Sequence, residues 1–128
     1  MKKIINTSKA PAPIGPYNQA IMSGNMLYTS GQIAINPETG ELETASIAEE
    51  TKLVMENLKA ILEEAGMSFE NVIKASIFIS DMKNFSQINE VYGSYFNADT
   101  APARETVEVA NLPKYVNVEI SVIAAKSL

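Results

Sequence analysis

The chain has 128 residues, 46% hydrophobic and 20% charged, with a net charge of −5 and no histidine, cysteine or tryptophan. That length supports one domain with its own core and leaves no room for two. Without histidine or cysteine, the Ser-His-Asp and Cys-His relays and the usual zinc sites are excluded, and no metal is expected. No apolar run approaches the roughly 20 residues of a membrane span, and "MKKIINTSKAP" lacks the apolar stretch of a secretory leader. A cytoplasmic chain with no membrane partner is therefore expected. The acidic balance, spread without blocks, disfavours nucleic acid, whose phosphates are neutralised by Lys and Arg.

In chain order, "AIMSGNMLYTSGQIAI" predicts a hairpin around Gly24-Asn25, and "NPETGE" a second turn. From Ser46 the period becomes helical, with Ile47, Thr51, Val54, Leu58, Ile61, Leu62 and Ala65 on one stripe. Ser46 and Glu49 fit a capping box, and Gly66 stops the helix. "NVIKASIFIS" alternates as a strand, with Ile73, Ala75, Ile77 and Ile79 on one side. A second helix is predicted at about Asn84 to Asn97, carrying Phe85, Ile88, Tyr92, Tyr95 and Phe96 at helical spacing. "APARETVEVANLPKYVNVEIS" supplies two last strands.

The order ββαβαββ predicts an α+β fold, a single domain over residues 1–128 with one mixed sheet and both helices on one face. Regular alternation would place Lys74, Ser76 and Phe78, then Arg104, Thr106 and Glu108, then Asn117, Glu119, Ser121 and Ile123 on the other face. Large apolar groups among hydroxyls and single charges suit a surface covered by further copies of the chain, with clefts between subunits. The plainer alternative is a half-polar face open to solvent.

No phosphate-binding or dinucleotide glycine loop is present, and no cofactor is expected; "GPYNQA" and "SGQ" are glycine-containing turns and weak signals by themselves. What remains for chemistry is arginine as a carboxylate clamp, glutamate as a proton carrier, and Tyr, Ser, Asn and backbone donors. Such tools suit an easy reaction on a small anion. Arg104 can grip a carboxylate through two parallel hydrogen bonds, and Glu119 can hold and deprotonate a water.

"IGPYNQA", "YTSGQI", "PAR" and "VEVANLPKYVNVEI" together resemble the reactive intermediate deaminase (Rid, YjgF-type) family, and the resemblance covers nearly the whole chain. It implies a homotrimer of a chorismate-mutase-like fold with sites at the subunit interfaces. The implied activity is hydrolysis of 2-imino acids and their enamine tautomers, such as 2-iminobutanoate and 2-iminopropanoate, to 2-oxo acids and ammonia. These intermediates come from pyridoxal-phosphate dehydratases. Position by position, the resemblance makes Arg104 the carboxylate-binding arginine and Glu119 the glutamate that orients water. Tyr17, Ser30, Gly31 and Asn89 match pocket-lining positions, and Thr106 would act through its backbone. The family often has cysteine where this chain has Thr106, and a small or apolar residue where it has Glu105, which a regular strand turns to the opposite face from Arg104. An endoribonuclease or translation inhibitor, and a non-catalytic module binding small carboxylates, are the alternatives.

Overall fold

The computed structural model describes residues 1–127. Its strands are β1 (Lys2–Ile5), β2 (Ala20–Ser23), β3 (Met26–Thr29), β4 (Val72–Ile79), β5 (Ala103–Glu108) and β6 (Val118–Ala125), and its helices are α1 (Ile47–Glu64) and α2 (Phe85–Gly93). The strands form one mixed sheet in the order β1-β2-β3-β6-β4-β5. Among the described residues only β4 and β5 run parallel, joined across α2.

Local chemistry accounts for the boundaries. Gly24 adopts φ 60°, the left-handed value that the tight β2–β3 turn requires. The Ser46 hydroxyl accepts the Glu49 N–H at 3.1 Å and starts α1. Gly66, at φ 73°, ends it: its N–H reaches Glu63 O at 2.9 Å and that of Met67 reaches Leu62 O at 2.8 Å, a Schellman closure. The apolar stripe of α1, Val54, Leu58, Ile61 and Leu62, is buried in one cluster with Ala75, Ile77 and Ile79 of β4 and Val118, Ile120, Val122 and Ala124 of β6.

Four details depart from the sequence expectation. An edge strand, β1, precedes the predicted elements and pairs with β2. A register shift between Val72 and Lys74 turns Val72 inward and Ile73 outward, 49% exposed, because a bulge resets the two-residue period. The second helix stops at Gly93, where Gly-Ser weakens helical preference and the Ser94 hydroxyl donates to Val91 O at 2.6 Å. Tyr95 and Phe96 lie beyond it and still pack, with ring centroids 5.2 and 5.3 Å from Phe69.

The fourth departure moves the candidate site. Along β4 and β5 the partners are Ala75 with Arg104, Ile77 with Thr106 and Ile79 with Glu108. Laterally paired residues share a face, so Arg104, Thr106 and Glu108 turn toward the helices rather than to the open face. Glu105 takes the open face instead, hydrogen-bonded to Ser76 and ion-paired with Lys74 at 2.8 Å. Those two partners hold its carboxyl below the usual range. Ile4, Ile21, Tyr28 and Ile123 form a row across four strands of that open face. Among the described residues, no helix is long and apolar enough to cross a membrane.

Candidate active site

A cavity of about 450 Å³ opens beside Glu119, walled by Pro11, Ile14, Tyr17, Gly31, Ile33 and Lys114, among others. Glu119 is the second residue of β6, on the open face. A bridge between Gln32 and Ile120, with N–H to O distances of 2.8 and 3.1 Å, brings Gly31 against it. A Cβ at position 31 would lie 2.7 Å from Glu119 Cδ and 2.8 Å from Oε1. Glycine is what lets the carboxylate lie flat against the backbone there. Half-buried in this apolar wall, the Glu119 carboxyl is pushed up from its ordinary value by desolvation. That shift improves a carboxylate as a proton acceptor near neutral pH.

Irregular backbone forms most of the wall, and buried polar side chains hold it. Gln19, 1% exposed, donates to the carbonyls of Thr7, Ala10 and Pro11 at 3.0, 3.2 and 2.8 Å and accepts the Thr7 N–H at 2.7 Å. Asn57, also 1% exposed, donates to Ile33 O and Ile35 O at 3.3 and 3.0 Å. The Ser30 hydroxyl donates to Asn18 O at 2.6 Å and so ties the wall to the end of β2. Tyr17 is half-exposed at the cavity, its hydroxyl accepting the Ile14 N–H at 3.3 Å.

Arg104 sits elsewhere. Its Nη1 donates to Asn89 Oδ1 at 2.6 Å, and its Cζ lies 5.5 Å from the ring centroid of Phe85 and 5.3 Å from that of Tyr92. Phe85, Asn89 and Tyr92 are spaced four and three apart, so α2 presents them as one stripe to the guanidinium. Burial raises the Tyr92 hydroxyl, against the lowering effect of Arg104. Thr106 is two residues along the same face, its buried hydroxyl without a partner. The Val109 N–H bonds Ile79 O, and parity along the strand therefore turns the Thr106 N–H to the outer edge of the sheet.

The predicted residues thus fall into two groups. Tyr17, Ser30, Gly31 and Glu119 line one cavity; Asn89, Arg104 and Thr106 gather on the helix side of edge strand β5. One chain does not bring Arg104 and Glu119 together, because they occupy opposite faces of its sheet. Sequence reasoning overlooked the walls' supports, Gln19 and Asn57, and the ring platform under Arg104. Asn57 carried a signal: it falls on the buried stripe of α1, three residues from Val54 and four from Ile61.

An α+β chain with a mixed six-stranded sheet and two helices is of the YjgF or Rid type. The profile of the family described as Endoribonuclease L-PSP matches residues 7–126, and the chain belongs to that family. A RutC family protein of Pyrococcus abyssi is 52% identical over 125 residues, 98% of each chain. A crystal structure from Thermotoga maritima, described as a candidate endoribonuclease, superposes with a TM-score of 0.96 at 52% identity, covering 100% of both chains. Escherichia coli TdcF, solved with bound serine, gives a TM-score of 0.92 at 46% identity, covering 98% of this chain and 99% of its own. TdcF is named as a candidate reactive intermediate deaminase.

Proposed function

We propose that this chain hydrolyses 2-imino acids and their enamine tautomers, 2-iminobutanoate and 2-iminopropanoate among them, to 2-oxo acids and ammonia. Its place is then downstream of pyridoxal-phosphate dehydratases, which release such intermediates. The observation that carries the reading is the cavity at Glu119, where a half-buried carboxyl with a raised proton affinity lies against Gly31 in an apolar wall.

The site is completed between copies of a homotrimer, the Glu119 cavity of one chain facing the Arg104 edge of the next. The apolar row on the open face and the division of the predicted residues into two groups support this arrangement. Arg104 holds the substrate carboxylate with the N–H groups that Asn89 leaves free. Glu119 takes a proton from water as its oxygen attacks the imine carbon. That proton passes to the imine nitrogen to complete the carbinolamine. Glu119 then takes the carbinolamine hydroxyl proton and delivers it to nitrogen as the C–N bond breaks, so that the carbonyl forms and ammonia leaves. Tyr17, Ser30 and the Thr106 N–H supply hydrogen bonds around the substrate. Imines hydrolyse unaided, so positioning and one proton carrier supply the modest acceleration required.

TdcF binds serine, a small carboxylate, which favours a non-catalytic binding module as the second reading. That module would need Arg104 and be indifferent to Glu119. The descriptions of the family and of the Thermotoga relative point to RNA cleavage, which a net charge of −5 disfavours. Freshly generated 2-iminobutanoate and a labelled RNA are offered to one preparation. Ammonia release well above the spontaneous rate with intact RNA is expected. RNA loss without deamination, or carboxylate binding with neither activity, overturns the reading.

A further inference from the structure

We infer that Glu50 is a positioning residue: its buried carboxylate fixes the backbone entering β6 so that Glu119 faces the cavity. Glu50 lies in the first turns of α1 and is 0% exposed. Its Oε2 accepts the N–H groups of Asn117 and Val118 at 2.8 and 3.2 Å, and its Oε1 accepts Asn117 Nδ2 at 2.7 Å. All three donors belong to the two residues immediately before Glu119. The Asn117 carbonyl is also engaged, accepting the Ser80 N–H at 3.1 Å, so the peptide is held from both sides.

What precedes this clamp is strained. Lys114 and Tyr115 adopt φ 54° and 57°, left-handed values that side-chain-bearing residues rarely take. Two such residues in succession persist only where surrounding contacts over-determine them. Pro113 and Lys114 line the cavity from one side of the clamp, and Glu119 lines it from the other. Glu50 therefore joins the two parts of the wall that no regular ladder connects.

A buried carboxylate is a costly way to fill a core, and it is held here by three donors that an apolar side chain would leave unpaired. Its geometric value lies in register. Strand faces alternate with a period of two, so a slip of one residue would turn Glu119 toward the helices and put Ile120 in the cavity. Three charge-assisted bonds to adjoining groups specify where β6 begins, which the apolar alternation Val118, Ile120, Val122 does not do alone.

The inference rests on Glu119 as the water-holding base, and the test separates the two. Glu50→Gln keeps the reach and one acceptor oxygen, whereas Glu50→Asp keeps the charge and shortens the arm. In the assembled protein, Glu50→Asp should lower kcat for 2-iminobutanoate about tenfold with KM within about twofold, and Glu50→Gln should restore most of it. The acid limb of the pH profile should move down in Glu50→Asp, because a displaced Glu119 regains water and loses the rise that burial causes. A support of the fold alone would shift the melting temperature and leave both kcat and the acid limb in place. Should Glu50→Asp not assemble, Asn117→Ala removes one donor and should lower kcat about threefold at constant KM. Wild-type kcat and an unmoved acid limb in these variants, with Glu119→Gln inactive, overturn the role of Glu50. Full turnover by Glu119→Gln would overturn the reading of Glu119 itself.

Discussion

Arg104 stands on the rings of Phe85 and Tyr92 with one N–H committed to Asn89, a setting that orients its planar fork. Arg104→Lys retains the charge without the fork. It should lower kcat/KM for 2-iminobutanoate by about 1.5 to 3 kcal/mol, read by coupled ammonia release, with the melting temperature nearly unchanged. Glu119, by contrast, makes stability depend on pH. Below the ordinary glutamate value its carboxyl is neutral in folded and unfolded chains alike; as pH rises through the elevated folded value, ionisation must occur where burial opposes it. Glu119→Gln removes that penalty, so its melting temperature relative to the parent should be higher at pH 7 than at pH 4 while turnover is lost. Gly31→Ala places a Cβ 2.7 Å from Glu119 Cδ and must displace the carboxylate, with kcat falling about tenfold or more. The chemical roles proposed for Arg104 and Glu119 were legible from the residue types left once histidine and cysteine were absent, together with the family motifs. Why position 31 is glycine was not, because the close approach arises from a bridge to a distant strand.

At the scale of elements, α1 is both a core stripe and a support for the cavity wall. Leu58 is fully buried, and Leu58→Ala should cost about 2 to 5 kcal/mol in denaturant unfolding while sparing turnover well below the midpoint. Asn57→Leu, one position away, should instead strand the Ile35 carbonyl and leave the Ile33 carbonyl with the Ile35 N–H alone. The expected loss is about 1 to 3 kcal/mol of stability together with reduced turnover. The long, periodic α1 and its caps were readable because stripe, serine and glycine agree. The phase of β5 was not: its sequence, Ala-Arg-Glu-Thr-Val-Glu, has no two-residue alternation of apolar and polar side chains, and only pairing with β4 shows that Arg104 lies beside Ala75. Ile73 misled for a related reason, since a bulge interrupts a run that looks uninterrupted in sequence.

For the whole molecule, the central claim is that the active site forms between chains. The half-apolar face legible in the sequence predicted subunit packing, and light scattering should give the mass of a trimer at micromolar concentration. No single-chain pattern revealed that Arg104 and Glu119 part to opposite faces, because topology decides it. Mixing two inactive variants tests the claim most directly. Arg104→Ala and Glu119→Gln chains are unfolded together in equal amounts and refolded into mixed trimers. If each site takes its arginine from one chain and its glutamate from the next, about a quarter of the sites in a random cyclic assembly receive both intact residues. The account predicts recovery of about a quarter of the parent's deaminase activity. Activity that stays at the level of the two variants refolded separately, in trimers shown to be mixed, would contradict it.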